Sequence, residues 1–130
     1  MKEQTFTIRT TAREEVRIIT SDVQRALAAM TNGDGICTIV TPHTTCAISV
    51  NENADPDVPA DIVRALRAMI PAVRFSHGEG NSDAHLLSTI IGTSLAWPYR
   101  GGKLVLGTWQ GVYFIELDGP RTRKVSVYVD

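Results

Sequence analysis

Cysteine is scarce in this chain: Cys37 and Cys46 are the only two in 130 residues, with no CxxC spacing. That excludes a disulfide framework, a zinc knuckle and a dithiol redox centre. Cys37 and Cys46 fall on neighbouring predicted strands, so a cross-strand disulfide is conceivable; in a reducing compartment two small buried apolar side chains are expected instead. Charge of one sign is missing too. Thirteen Lys and Arg against 14 Asp and Glu leave a net charge of −1, which gives no footprint for nucleic acid or an anionic membrane. Arg121, Arg123 and Lys124 thicken the basic side near the C-terminus and are expected at a solvated strand end. No apolar run approaches the length of a membrane helix. The opening Met1-Lys-Glu-Gln-Thr5 has no apolar leader core, so a cytoplasmic protein is expected. There is no P-loop, GxGxxG, nucleophile elbow or Cys/His nucleophilic pair. Internal repeats, linkers and low-complexity tracts are also absent.

What remains is an ordinary globular composition, 43% apolar and 21% charged, enough for one core and one domain over residues 1–130. Residues 4–10 alternate, with Phe6 and Ile8 on one face, and predict a strand paired with a second at 16–20 after a turn. Ser21-Asp-Val-Gln24 has the form of a capping box, and Val23, Leu27 and Met30 follow at helical spacing, which predicts a helix over 21–31. Strands are predicted at 36–40 and 45–51. In the second, Cys46, Ile48 and Val50 face the core, and Thr45, Ala47, Ser49 and Asn51 face a ligand, another subunit or water.

Asp55-Pro-Asp57 signals a helix over about 57–70, with Ile62, Leu66, Met69 and Ile70 as its apolar stripe and Pro71 beyond it. Residues 71–81 are aperiodic and read as a loop. A third helix starts after a cap at Asn81 or Ser82, uses Leu86, Leu87, Ile90 and Ile91 as apolar positions, and stops at Gly92. Strands at 94–98, 103–106, 110–117 and 123–129 follow, the last three as a C-terminal set. Val112-Tyr-Phe-Ile115 is apolar on both faces, so that strand is central or lies in an interface. The whole is an α+β fold: a mixed, mainly antiparallel sheet or sandwich, with about three helices packed on one side.

Uncommon side chains cluster in turns. His43 sits in Thr41-Pro-His-Thr-Thr45, His77 in the loop, and His85 eight residues later on the first turns of a helix. That separation is not the i, i+4 pattern of two helical zinc ligands. Three histidines can hold a divalent ion such as Zn²⁺ with one position open; equally they can surround a phosphate, with the N–H groups of the third helix's start assisting. Asp55 and Asp57 are equally suited to turn and capping chemistry, whereas Glu52 has no such local task. Glu116, in an apolar strand, needs a partner; Arg121, Arg123 or another subunit can supply it, as a buried ion pair or as part of a ligand site. Trp109 and Gln110 either line a pocket or, for the indole, pack in the core.

These segments, Thr41-Pro-His-Thr-Thr45, Asn51-Glu52-Asn53 with Asp55, His77 with Gly80-Asn81 and Ala84-His85, Gly107-Thr-Trp-Gln110 and Glu116-Leu-Asp-Gly-Pro-Arg121, resemble the signature of the YjbQ-like family in the right order over nearly the whole chain. One departure is Leu117, where the family pattern has an aromatic. The resemblance implies a small α+β protein forming a compact homotrimer, and a secondary thiamine-phosphate synthase activity. That reaction joins a pyrimidine methyl diphosphate to a thiazole phosphate with release of pyrophosphate. It also implies a site at His43, His77 and His85 with Asn81 and Glu52 near, and Asp118 and Arg121 framing either that site or the trimer contact. The departing diphosphate requires cationic help, from a divalent metal (Zn or Mg) or from Arg and His⁺. Against Mg²⁺, the acidic residues are only the scattered Glu52, Asp55 and Asp57. The expected reading is therefore a transferase acting on small phosphorylated metabolites, with Glu52, Asn81, Glu116 and Arg121 in the chemistry and the three histidines as metal or phosphate ligands. The alternatives are a three-His metal hydrolase with Glu52 or Glu116 as base, and a trimeric metabolite-binding module without catalysis.

Overall fold

Adjacency in sequence does not decide strand pairing in this chain. The computed structural model describes all residues, Met1–Asp130. It runs β1 (Lys2–Arg9), β2 (Glu15–Ile18), α1 (Thr20–Ala28), β3 (Gly35–Val40), β4 (Cys46–Glu52), α2 (Asp57–Ala68), α3 (Ser82–Ile91), β5 (Ser94–Arg100), β6 (Lys103–Leu104), β7 (Gln110–Glu116) and β8 (Thr122–Val129). Five strands form one sheet in the order β1-β8-β3-β5-β6, and three form another in the order β2-β7-β4. Every pairing is antiparallel. The expected β1–β2 hairpin does not form: β1 pairs along its length with β8, from Lys2 opposite Val129 to Arg9 opposite Thr122, while β2 pairs with β7. The C-terminal strands likewise divide, β6 and β8 to the larger sheet and β7 to the smaller.

The doubly apolar 112–115 segment explains the layering. β7 is the middle strand of the small sheet, paired along both edges, and consecutive residues from Gly111 to Glu116 are buried, so both of its faces are covered. Val112 and Phe114 enter the main core between the sheets, with Ile39, Val125 and Val127 of the larger sheet and Val23 and Leu27 of α1. Tyr113 and Ile115 face the other way, into a second cluster with Ala47, Ala84, Leu87 and Leu117. Burying each of these large side chains is worth about 1.5–3 kcal/mol. The helices are thus not all on one side. α1 closes the space between the sheets, and α2 and α3 cover the outer face of the small sheet.

Local signals met tertiary competition. α1 begins at Thr20, and no side chain caps it. Thr20 Oγ1 instead accepts from Val112 N at 2.9 Å, and Gln24 spans to the β5–β6 turn, donating to Gly102 O at 2.7 Å and accepting from Leu104 N at 2.9 Å. α2 has no fully buried residue; Ile62, Leu66 and Ile70 rest against the second cluster, and Met69 is exposed. In α3, Ala84, Leu87 and Ser88 are buried and Ile90 is exposed. Asp55 Oδ1 accepts from Asp57 N at 2.9 Å, so Asp55 does the work of a turn ahead of α2. Cys37 and Cys46 are buried free thiols on different sheets. Trp109 is exposed rather than packed in the core.

Candidate functional site

The turn between β3 and β4 is lashed to β8, and this fixes His43. Thr41 Oγ1 donates to Lys124 O at 2.9 Å, and Lys124 N donates to His43 Nε2 at 2.9 Å. An imidazole nitrogen that accepts a hydrogen bond carries no proton, so the neutral ring holds its hydrogen on Nδ1. Partial burial, followed by the Arg123 guanidinium, pushes the His43 pKa below its ordinary value, partly offset by Glu116. The neutral ring is therefore the resting form near neutral pH.

Beneath this turn lies a buried ion pair. Glu116 has no exposed surface and Arg123 is 3% exposed. Arg123 Nε donates to Glu116 Oε1 at 2.9 Å and Nη2 to Oε2 at 2.5 Å. Nη2 also donates to Thr45 O and Oγ1, at 3.1 and 2.9 Å. Glu116 accepts further from Thr10 Oγ1 at 2.7 Å and from the N–H groups of Leu117 and Asp118, both at 3.1 Å. Burial alone would raise the Glu116 pKa, but the Arg123 and Thr10 hydrogen bonds hold it below the usual carboxylate value. Its lone pairs are spoken for, so Glu116 is a fixed anion that seats Arg123. Arg123 is thus inside, not at a solvated strand end.

The 118–121 corner and α3 supply the rest. Asp118 Oδ2 accepts from Asn81 Nδ2 and from Arg121 Nη2, each at 2.9 Å. Burial opposes ionisation of Asp118, but Asn81 and then Arg121 hold its carboxyl below the ordinary value. Facing an ionised carboxylate, Asn81 must present its amide N–H, which leaves Oδ1 buried without a partner. No side chain caps the start of α3. Asp83 Oδ1 accepts from Ala84 N at 2.9 Å, and its carboxylate also meets Arg13 and Arg67, so α3's first turn already holds a carboxylate of its own.

His43, His77, His85, Asn81 and Arg121 meet at one cleft of about 480 Å³, with Asp118 and Arg123 in its wall and no hydrophobic residue in its lining. His77 and His85 stand edge to face, ring centroids 5.6 Å apart, and His77 lies 3.9 Å from Glu79. Thr45, expected on a face that meets a ligand, another subunit or water, lines the cleft, as do Thr44 and Glu79, which only their nearness to the histidine turns pointed to. Glu52 is not there. It lines a separate cleft of about 570 Å³ between β2 and α2, with Glu14, Glu15 and Asp55, and a smaller one with Trp109 and Gln110. Glu116 lies behind the wall. No group of three or more His, Cys, Asp or Glu side chains is arranged to hold a metal ion, and His43 already spends Nε2 on a backbone N–H. A Zn²⁺ or Mg²⁺ ion bound by all three histidines does not fit this arrangement.

The family model described as "UPF0047 protein YjbQ-like" matches residues 4–129. The chain belongs to this family. Among YjbQ-like relatives, it is 46% identical to UPF0047 protein MJ1081 of Methanocaldococcus jannaschii over 125 residues, covering 95% of this chain and 91% of that one. It is 44% identical to UPF0047 protein YugU of Bacillus subtilis over 126 residues, covering 95% and 96%. A crystal structure of an uncharacterized YjbQ/UPF0047 protein from Clostridium acetobutylicum superposes with a TM-score of 0.92 at 42% identity, covering 98% of this chain and 99% of that one. The names of these YjbQ-like proteins state no activity. The α+β fold they share with this chain is the one described above. No helix here is long and apolar enough to cross a membrane.

Proposed function

We propose that the histidine cleft binds the phosphate end of a small phosphorylated metabolite and supports transfer chemistry at that phosphate or diphosphate. The observation that carries this reading is the convergence of three imidazoles, the partly exposed Arg121 and the buried Arg123 on a cleft with no hydrophobic lining. Arg121 uses Nε and Nη2 on Asp118, and Arg123 uses Nε and Nη2 on Glu116 and Thr45, so each guanidinium keeps Nη1 uncommitted. Donors fixed in advance around a developing negative charge stabilise it without reorganisation. His43, neutral with Nδ1–H, serves as a donor; His77 and His85, in contact with one another, serve as the proton-transfer pair. The thiamine-phosphate synthase reaction implied by the resemblance belongs to this class, with pyrophosphate as the anion released. The homotrimer implied with it is proposed too, supported by the exposed apolar side chains of Ile18, Val105 and Trp109.

Titration calorimetry with inorganic phosphate and pyrophosphate tests the binding. Wild type is expected to bind both, and Arg121→Ala or His85→Ala to weaken binding about tenfold, the order of one charge-assisted hydrogen bond. Thiamine-phosphate formation, followed in parallel, is expected to disappear in His85→Ala. Absence of phosphate binding in the wild type, or affinities unchanged in both variants, refutes the reading.

A further inference from the structure

We infer that the ligand of this site is a phosphorylated polyhydroxy compound of the sugar-phosphate class, rather than a phosphorylated heteroaromatic one. The inference rests on the phosphate reading above and deepens it. A second cleft, of about 510 Å³, adjoins the first and shares Pro42, His43, Thr44 and His85 with it as a common wall. It too has no hydrophobic residue in its lining, and it has no Asp, Glu, Lys or Arg. The charged groups all lie in the first cleft. The ligand that fits both is charged at one end and neutral but polar along the other.

The hydroxyl groups of the second cleft specify that polarity. Thr89 donates to the backbone oxygen of His85, so towards a ligand its exposed hydroxyl oxygen acts as an acceptor, whereas Thr41 and Ser88 are buried and donate inward to Lys124 O and Cys46 O. Thr44 and Thr93 have hydroxyls that form no hydrogen bond within the chain and can donate or accept. Mixed donors and acceptors of this kind match the hydroxyl, which is both at once. An aromatic ring would meet the Pro42 ring, two imidazoles and threonine methyl groups here, with no aromatic or large aliphatic side chain to stack on, and it would leave the hydroxyls unpaired. In the first cleft, Asn81 Oδ1 is an acceptor with no donor. A hydroxyl next to the phosphate supplies a donor, which the unprotonated oxygens of a phosphate dianion cannot. A synthase activity on thiazole phosphate is accordingly expected to be weak, because the ring would leave the Thr44 and Thr93 hydroxyls without partners.

The experiment is a comparison of inorganic phosphate, ribose 5-phosphate and phenyl phosphate by titration calorimetry on the full chain. Ribose 5-phosphate is expected to bind at least about tenfold more tightly than either of the others. Thr93→Val is expected to reduce that preference several-fold, Thr93→Ser to restore it, and both to leave inorganic phosphate binding unchanged. Thr89→Val, at an exposed position of the second cleft alone, supplies a second variant should the first fold poorly. Phenyl phosphate equalling ribose 5-phosphate, or a preference untouched by both valine variants, overturns the inference while leaving the phosphate reading standing. Failure of all three ligands to bind overturns both.

Discussion

Replacing Glu116 by Gln keeps shape and volume but leaves the Arg123 guanidinium, 3% exposed, beside a neutral amide. The amide can still accept, but one of its two polar atoms becomes an N–H₂ facing donors: Arg123 Nη2 with the Leu117 and Asp118 N–H groups on one side, or Arg123 Nε with the Thr10 hydroxyl on the other. Breaking a buried ion pair on one side costs about 3–5 kcal/mol. Unfolding entropy near 2.1 cal/mol/K per residue gives about 0.27 kcal/mol/K for a chain of this length, so the melting temperature should fall by about 11–18 °C. Arg121→Gln, which breaks the Asp118 pair where the arginine side chain is 53% exposed, should cost at most about 1 kcal/mol, or some 4 °C. Thermal melts of the two variants, followed by circular dichroism, make the comparison. A Glu116→Gln melt within a few degrees of that of Arg121→Gln would show that the carboxylate does not act as a sequestered counter-charge.

Acid should weaken the same elements. Glu116 and Asp118 both have folded-state pKa values below their ordinary values of 4.5 and 3.8, so their contribution is complete above about pH 5 and is lost as pH falls through the depressed values; urea midpoints taken from pH 7 down to pH 3 should fall, and less steeply in Glu116→Gln. Gly119→Ala should lower the melting temperature by several degrees, because a Cβ there would sit 2.3 Å from Ala12 O and 2.8 Å from the Glu116 side chain. Tyr113→Phe removes a hydroxyl that donates to Glu52 O at 2.5 Å; the expected loss is about 0.5–1.5 kcal/mol in chemical denaturation, with phosphate affinity unchanged because Glu52 lies outside the histidine cleft.

How much of this was legible in the sequence depended on the range of the interaction. The apolar faces of Val112–Ile115 announced a strand covered on both sides, since burial on a face is written directly into residue type. A shared site for His43, His77 and His85 was suggested by their placement in turns and by the family resemblance, but no local pattern records what brings them together, β8 receiving the His43 turn and α3 lying against β4. Pairing partners were not readable. Lys2–Arg9 alternates equally well for β2 or for β8, and nothing local records that its partner lies more than a hundred residues away. Ser21 and Gln24 satisfied a local capping pattern, yet Gln24 bonds to the β5–β6 turn, a partner invisible to any window of a few residues. Glu116 illustrates a third case: a carboxylate in an apolar strand does call for a cation, but only the fold chooses Arg123 over Arg121.

The lack of any fully buried residue in α2 has a consequence for how the cleft responds to its occupant. Segments that bury little open at a free energy well below that of global unfolding, and their amides exchange with solvent hydrogen correspondingly sooner. His77 follows that helix in the chain, whereas His43 is tied to β8 and His85 stands on α3, whose inner face is buried. The cleft therefore combines an imidazole hydrogen-bonded to β8, one standing on a helix with a buried inner face, and a third that follows a helix burying no residue fully. Occupancy should slow amide exchange through residues 57–81 and leave β8 as it was, making the His77 arm the part of the molecule that records whether the cleft is filled.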